Sequence, residues 1–413
     1  MIYKVDLPEL TLNRLTDVVY LQMRLLRYAA STSSINEEDC ARYLKAYKIF
    51  KGRHEQIARW LFNKPKPREL LRQFSQGSTA EKLEWSRCLF REAIVFLTNQ
   101  FGYITPYKKD SASDWQIAGS EFLSQFYKYL GDGLPDYLFS EKGAVLFSKN
   151  DLKLNFYNTN NFLLVCPACD LPPTGIEVDH YLPISIYPHL SCHPFNLVPI
   201  CSECNSFAVK GNTDLLQKDD HIRRKLEDVF LIYQGYGLGE LSYLKIDLKK
   251  GHRAIRLIEL KPVKGNNIIE HIESYSNLFK IPDRWFKTGR TGETIQYQMF
   301  RKIETSVQAA KQYKASLNIF DVYIELNQLL QILCDDRGKE PFAFTMSCWL
   351  ATLINQEIKP AISSSQQIDI KKFPLLEEIA SWVKQDSIQH PAYLDDSRLN
   401  KAWNLRKIVA EED

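Results

Sequence analysis

Two C-x2-C knuckles constrain this chain more than any other feature. Cys166-Pro-Ala-Cys169 and Cys201-Ser-Glu-Cys204 are separated by 31 residues. In a reducing compartment, paired knuckles signal a metal rather than disulfides. Four thiolates suit a closed tetrahedral Zn²⁺ site, which staples a short segment that has little core of its own. Because four ligands leave no open position, this zinc is expected to be structural. The other five cysteines, Cys40, Cys88, Cys192, Cys334 and Cys348, follow no spacing and read as small buried hydrophobes.

Polar residues of a different kind lie between and just after the knuckles. Glu177-Val178-Asp179-His180 reads as an extended segment, in which adjacent side chains point to opposite sides. Asp179 therefore suits a hard divalent cation on one side. His180, with an ordinary pKa near neutrality, suits general-base work on the other. Asn196 precedes Leu-Val-Pro-Ile, a short strand expected to return beside Asp179, and its amide suits bracing the loop by side-chain-to-backbone hydrogen bonds. Asn205 follows Cys204, where a helix running to Lys210 would let Asp179 and Asn205 face one metal. His189 and His193 lie in the loop between the strands and are weaker candidates.

These residues, C-x2-C, Asp-His, Asn, then C-x2-C-N-x4-K-G, resemble the HNH endonucleases in their zinc-stapled form. The match covers about 50 residues of Cys166 to Gly211 and its borders, and it implies the ββα-metal fold. By this resemblance His180 is the general base, Asp179 and Asn205 hold a catalytic Mg²⁺ or Mn²⁺, and Asn196 supports the loop that orients His180. Asn205 stands where the family commonly has His. The HNH domain of CRISPR effector nucleases is similar in using Asp, His and Asn. An amide oxygen in place of an imidazole favours Mg²⁺ or Mn²⁺. Lys210 is placed to contact a neighbouring phosphate. The implied reaction is phosphodiester hydrolysis, with DNA as the expected substrate and RNA as the alternative. The resemblance further implies a setting in bacterial defence or a mobile element, with a partner ATPase or other defence protein. The competing reading is a zinc ribbon that binds nucleic acid without cutting it.

The rest of the chain frames this centre. Helical periodicity marks residues 8–29, 37–63, 67–75, 79–100 and 116–130, then 267–285, 294–315, 319–334, 341–357 and 372–385. A terminal helix is expected over 396–413. Residues 151–165 read as extended and 221–228 as helical. VFLIYQ (229–234), LSYLKIDL (241–248) and RAIRLIEL (253–260) read as strands, with GYGLG (235–239) as a hairpin turn. The expected class is α+β, mostly helical. Its regions are a helical domain (1–150), the zinc-bound centre (151–214), a short helix with a β-rich segment (215–265) and a helical domain (266–413).

Composition excludes little: 45% hydrophobic and 25% charged residues are ordinary, and the net charge is only +3. Locally it is uneven. Residues 160–212 carry four acids against one lysine, a net of −3, whereas 42–72 carry ten Lys/Arg against two Glu, a net of +8. Arg42, Lys45 and Lys48 are three apart, which places them on one helix face. Nucleic-acid affinity is thus expected from the flanks or a partner. The start, MIYKVDLPEL, lacks a signal-peptide pattern, and no run of about 18 apolar residues is present. A cytoplasmic protein without a membrane span is expected.

Overall fold

Apolar residues recur three and four apart along residues 9–31, and in the computed structural model they form α1 (Glu9–Ser31), with Leu15, Val18, Val19, Leu25 and Leu26 buried. The structure describes residues 2–97, 102–140, 146–172, 175–219, 221–233, 235–248, 255–263, 268–286, 290–363, 373–384 and 388. The expected terminal helix, His252 and His390 lie outside them. The chain divides into two compact units, residues 4–161 with 173–236, and residues 1–3 with 162–172 and 237–413. The class is α+β and mostly helical, and the sheets among the described residues are two-stranded.

In the first unit α1 is followed by α2 (Glu37–Lys45), α3 (His54–Phe62), α4 (Pro65–Ser75), α5 (Thr79–Leu97) and α6 (Asp114–Asp132). Their start signals are local: the Asn36 side chain accepts from Asp39 N at 2.8 Å, and Pro65 opens α4. The expected single face of Arg42, Lys45 and Lys48 does not exist, because α2 stops at Lys45 and a 3₁₀ turn begins at Lys48. A short ribbon pairs β1 (Leu134–Pro135) with β2 (Leu146–Phe147). α7 (Lys149–Thr159) then replaces the extended segment expected at 151–165. A capping box decides the matter: Ser148 N donates to Asp151 Oδ2 at 2.7 Å, and Leu152 and Phe156 share the buried face.

The centre of the chain folds into this helical unit. β3 (Ile176–His180) pairs antiparallel with β4 (Leu197–Cys201), with Asp179 opposite Val198 and His180 opposite Leu197. One helical turn follows, α8 (Ser202–Asn205). The helix expected to reach Lys210 ends at Asn205 instead, and residues 207–212 form turns. Cys192 and Leu197 belong to the same apolar core as α1 and α3–α6, with Val178 packed against it. Downstream, only Leu226–Asp228 coils, as a 3₁₀ turn, and 229–233 is not a strand. Val229, Phe230, Leu231 and Ile232 are all buried, so the β-like composition reflects an irregular core segment.

In the second unit α9 (Leu238–Leu241) occupies part of the expected hairpin turn. Gly239 is needed there because its N–H donates to Ile2 O at 2.8 Å, and a Cβ would lie 2.9 Å from that oxygen. β5 (Ser242–Leu248) and β6 (Ile255–Pro262) form the expected antiparallel pair. Then come α10 (Ile269–Phe279), α11 (Ile281–Phe286), α12 (Arg290–Tyr313), α13 (Ile319–Asp335), α14 (Ala343–Leu353), α15 (Lys359–Ser363) and α16 (Pro374–Trp382), with a π turn between α14 and α15. α14 is buried on nearly every side and forms the centre of this unit.

α6 can pack closely on α4 because position 119 has no side chain. A Cβ there would lie 2.8 Å from both Phe74 and Trp85. Gly119→Ala should therefore destabilise the first unit by roughly 1–3 kcal/mol through overpacking, despite alanine's better helix propensity. Urea unfolding monitored by tryptophan fluorescence checks this. A stabilised variant would mean that the aromatic rings yield freely.

Candidate functional site

Asn196 sets the geometry of the centre. Its side chain is fully buried and makes three bonds to backbone. Oδ1 accepts from Leu182 N at 2.6 Å, and Nδ2 donates to Leu182 O at 3.0 Å and Leu190 O at 3.1 Å. The loop between β3 and β4 is thus closed on itself by one amide, in the bracing geometry expected of Asn196. Ser191 continues the brace: its Oγ donates to Leu123 O at 2.8 Å, and Gln22 reaches both groups from α1.

His180 ends β3 against this loop. Its Nε2 lies 2.8 Å from Ser191 O, and a carbonyl can only accept, so Nε2 carries the proton. The neutral ring therefore keeps its lone pair on Nδ1, which no described residue hydrogen-bonds. The imidazole is 4% exposed, and burial lowers its pKa to about 4. The Tyr127 ring stands edge-on to it at a centroid distance of 4.1 Å, and the Tyr127 hydroxyl donates to Val178 O at 2.6 Å. Lys149, at the start of α7, places its Nζ 3.5 Å from the centre of that same phenol ring.

Asp179 looks the other way, as strand alternation requires. Its Oδ2 meets Lys210 Nζ at 2.6 Å, in an ion pair that lacks the angles of a hydrogen bond. Lys210 is 3% exposed, so it is neither a solvated residue nor a helical one. Glu177 shares the Asp179 side of β3, and Asn205 Nδ2 donates to its carboxylate. The structure thus brings Glu177, Asp179, Asn205 and Lys210 to one side of β3, with His180 on the other. The oxygens of Asp179, Glu177 and Asn205 form a hard donor set. Asp179 Oδ2 faces the Lys210 ammonium, so its negative charge is met within the chain.

The cysteines converge. The Sγ atoms of Cys166, Cys169, Cys201 and Cys204 lie within 4.8 Å of one another, and all four residues are buried. Tetrahedral Zn–S bonds put sulfurs about 3.8 Å apart, so the cluster could hold a structural metal such as zinc after small closure. Each knuckle has its own scaffold. Cys204 N donates to Cys201 Sγ at 3.4 Å. In the other, Asp170 N donates to Cys166 O at 3.0 Å, Asp170 takes a left-handed φ of 63°, and Trp285 Nε1 donates to Cys169 O at 2.9 Å. The Asp170 carboxylate is buried, accepting from Tyr3 and from Thr345 N at 3.2 Å. Of the scattered cysteines, Cys40, Cys192 and Cys348 are buried as expected, and Cys88 and Cys334 are half-buried.

The other expected residues fall elsewhere. His189 sits 3.3 Å from Glu92, and His193 Nε2 donates to Ala93 O at 3.2 Å while its Nδ1 accepts from Phe195 N. Both are interior props against α5. A cleft of about 920 Å³ beside Trp85, Tyr107 and Arg223 takes in none of the site residues. In the basic stretch, Arg42 pairs with Glu38 and Asp39, Arg59 with Glu37, Arg72 with Glu69, and Lys66 with Glu121. Four of the ten cations are therefore paired, one of them with a glutamate already counted in the +8.

Comparison with known proteins adds little. Over 41 residues the chain is 51% identical to protein ea31 of Escherichia phage lambda. That stretch is 10% of this chain and 14% of the phage protein, so the likeness is confined to a small part of each. No family model and no solved structure matches. No described helix is long and apolar enough to cross a membrane. Tyr127, Lys149, Glu177 and Ser191 escaped the sequence reading. Only Glu177, two residues before Asp179, carried a signal there.

Two predictions follow from the interior chemistry. The pKa values of His180, His189 and His193 are lowered by burial to about 4, 3 and 3. Unfolding exposes them near their ordinary 6.5, so the unfolded chain binds more protons. Their stabilising effect is complete above about pH 6.5 and is lost as pH falls towards 3, with a limiting slope of about 4 kcal/mol per pH unit for three protons. Circular dichroism with parallel proton-uptake titration measures this; native tertiary signal persisting to pH 3 would refute neutral burial. For the cysteines, elemental analysis should find about one zinc per chain in the wild type and a large loss in Cys169→Ser, with reduced thermal stability.

Proposed function

We propose that this chain is a metal-dependent phosphodiester hydrolase of the HNH type, acting on DNA. The observation that carries the reading is the state of His180. A backbone carbonyl pins Nε2–H, so Nδ1 is left as a base on a strand whose preceding residue faces a cation. The order of the supporting residues agrees with the motif: Asp179 and His180 on the first strand, Asn196 closing the loop, and Asn205 on the turn after the second strand.

In this reading Nδ1 of His180 takes a proton from water, whose oxygen bonds to phosphorus. The bond from phosphorus to the 3′ oxygen breaks with its electron pair, and the departing oxygen is protonated by solvent. Asp179 and Asn205 would hold the divalent cation, with Glu177 beside them; such an ion would supply stabilisation of charge developing on the phosphate. A pKa near 4 guarantees a neutral ring at physiological pH but makes a weak base. An anionic phosphate beside the ring raises that pKa towards the useful range. Asn196 and Ser191 orient the imidazole, and the four-cysteine cluster is structural. Lys210 would reach a phosphate only by leaving Asp179. The match to part of a phage protein suits a setting in defence or mobile elements. Pairing of four cations in the basic stretch favours a protein partner as the source of nucleic-acid affinity.

The test compares wild type, His180→Ala and Asp179→Asn on plasmid, single-stranded DNA and RNA with Mg²⁺, Mn²⁺ or EDTA. The amide is chosen at 179 because deleting the whole side chain would leave the buried Lys210 ammonium in a void. Cleavage should require metal and fall about 10²–10⁴-fold in His180→Ala. Equal activity in wild type and His180→Ala would sink the assignment, and cleavage of RNA alone would replace the substrate.

A further inference from the structure

Among the described cations near the centre, Lys210 is already engaged by Asp179, whereas Lys149 is not paired with any described carboxylate. Lys149 rests on the face of Tyr127, and Tyr127 is held on β3 through its hydroxyl while its ring touches His180. Ammonium and imidazole therefore flank one phenol ring whose position is fixed.

The position is unfavourable for a structural lysine. Lys149 is the first residue of α7, where the helix dipole repels a cation. It is half-buried, and the nearby Asp151 carboxylate is engaged by Ser148 N at 2.7 Å and Ser148 Oγ at 2.6 Å. The cation–π contact offsets only part of that cost. A local rule broken without a matching carboxylate marks a place where an anion is to arrive.

We propose that Lys149, seated on Tyr127, receives the scissile phosphate of a nucleic acid beside His180. This rests on the nuclease reading and adds a residue to it from the helical flank. The ammonium would neutralise a non-bridging phosphate oxygen and counter the charge that develops there during attack.

The variants are Lys149→Met, which keeps the alkyl stem on Tyr127, and Lys149→Arg, which keeps the charge. Binding of a duplex oligonucleotide is followed by fluorescence anisotropy in EDTA over a salt series, and plasmid cleavage is followed with Mg²⁺. Lys149→Met should lower the slope of log affinity against log salt by about 0.9, the value for one duplex phosphate contact. It should also lower kcat at least about tenfold with an unchanged thermal midpoint, and Lys149→Arg should recover most of both. An unchanged salt slope in Lys149→Met overturns the proposal, whether or not the wild type cuts. So does a fall in the thermal midpoint that Lys149→Arg repairs without restoring the slope, since that is a structural role. A lost slope with a wild type that cuts nothing leaves Lys149 as a phosphate contact and removes hydrolysis.

Discussion

One buried amide holds the centre of the first unit in its working shape. The loop from Tyr181 to Asn196 has no sheet to satisfy its backbone, and Asn196 supplies an acceptor and two donors in its place. Ser191 then lies where its carbonyl meets His180, and its hydroxyl is anchored on α6. Leaving those carbonyls and amides unpaired in the interior would cost about 1–3 kcal/mol each. The orientation of one imidazole is thus tied to the packing of helices more than 50 residues earlier in the chain.

The opposite side of β3 is governed by charge. Lys210 is almost wholly buried and Asp179 is its counter-ion, so neither is at ease without the other. Lys210 is carried by a turn just before Gly211, whose φ of 49° is left-handed. A Cβ on Gly211 would lie 2.9 Å from Phe207 O, so the turn has little latitude in its residues.

Much of this was legible in the sequence, for physical reasons. The knuckles are local patterns, and Asp179, His180 and Asn196 were placed by strand alternation and by the hydrogen-bonding capacity of an amide. Helices with clean 3.6-residue periodicity were readable too. What failed were segments whose local pattern is overridden. Residues 151–165 mimic a strand, but their fate is set by the Ser148–Asp151 cap just upstream. Residues 229–233 look β-like because they are buried, not because they pair. Lys149 and Tyr127 were invisible because their meaning comes from tertiary contact: Lys149 rests on the Tyr127 ring, and Tyr127 donates to Val178 across 51 residues of sequence.

The charge reckoning changes accordingly. The net of −3 over residues 160–212 treated every acid as available to repel a phosphate. Asp170 is buried under Tyr3 and Thr345, and Asp179 is neutralised by Lys210, which leaves Glu177 and Glu203 as the exposed acids of that stretch. Glu177 is itself bonded to Asn205. Against these stands Lys149, contributed by a helix outside the stretch. A window of sequence is therefore the wrong unit for the electrostatics of this site. The helical flank is not merely a carrier for a small four-cysteine centre; it braces His180 through α6 and supplies a positive charge through α7.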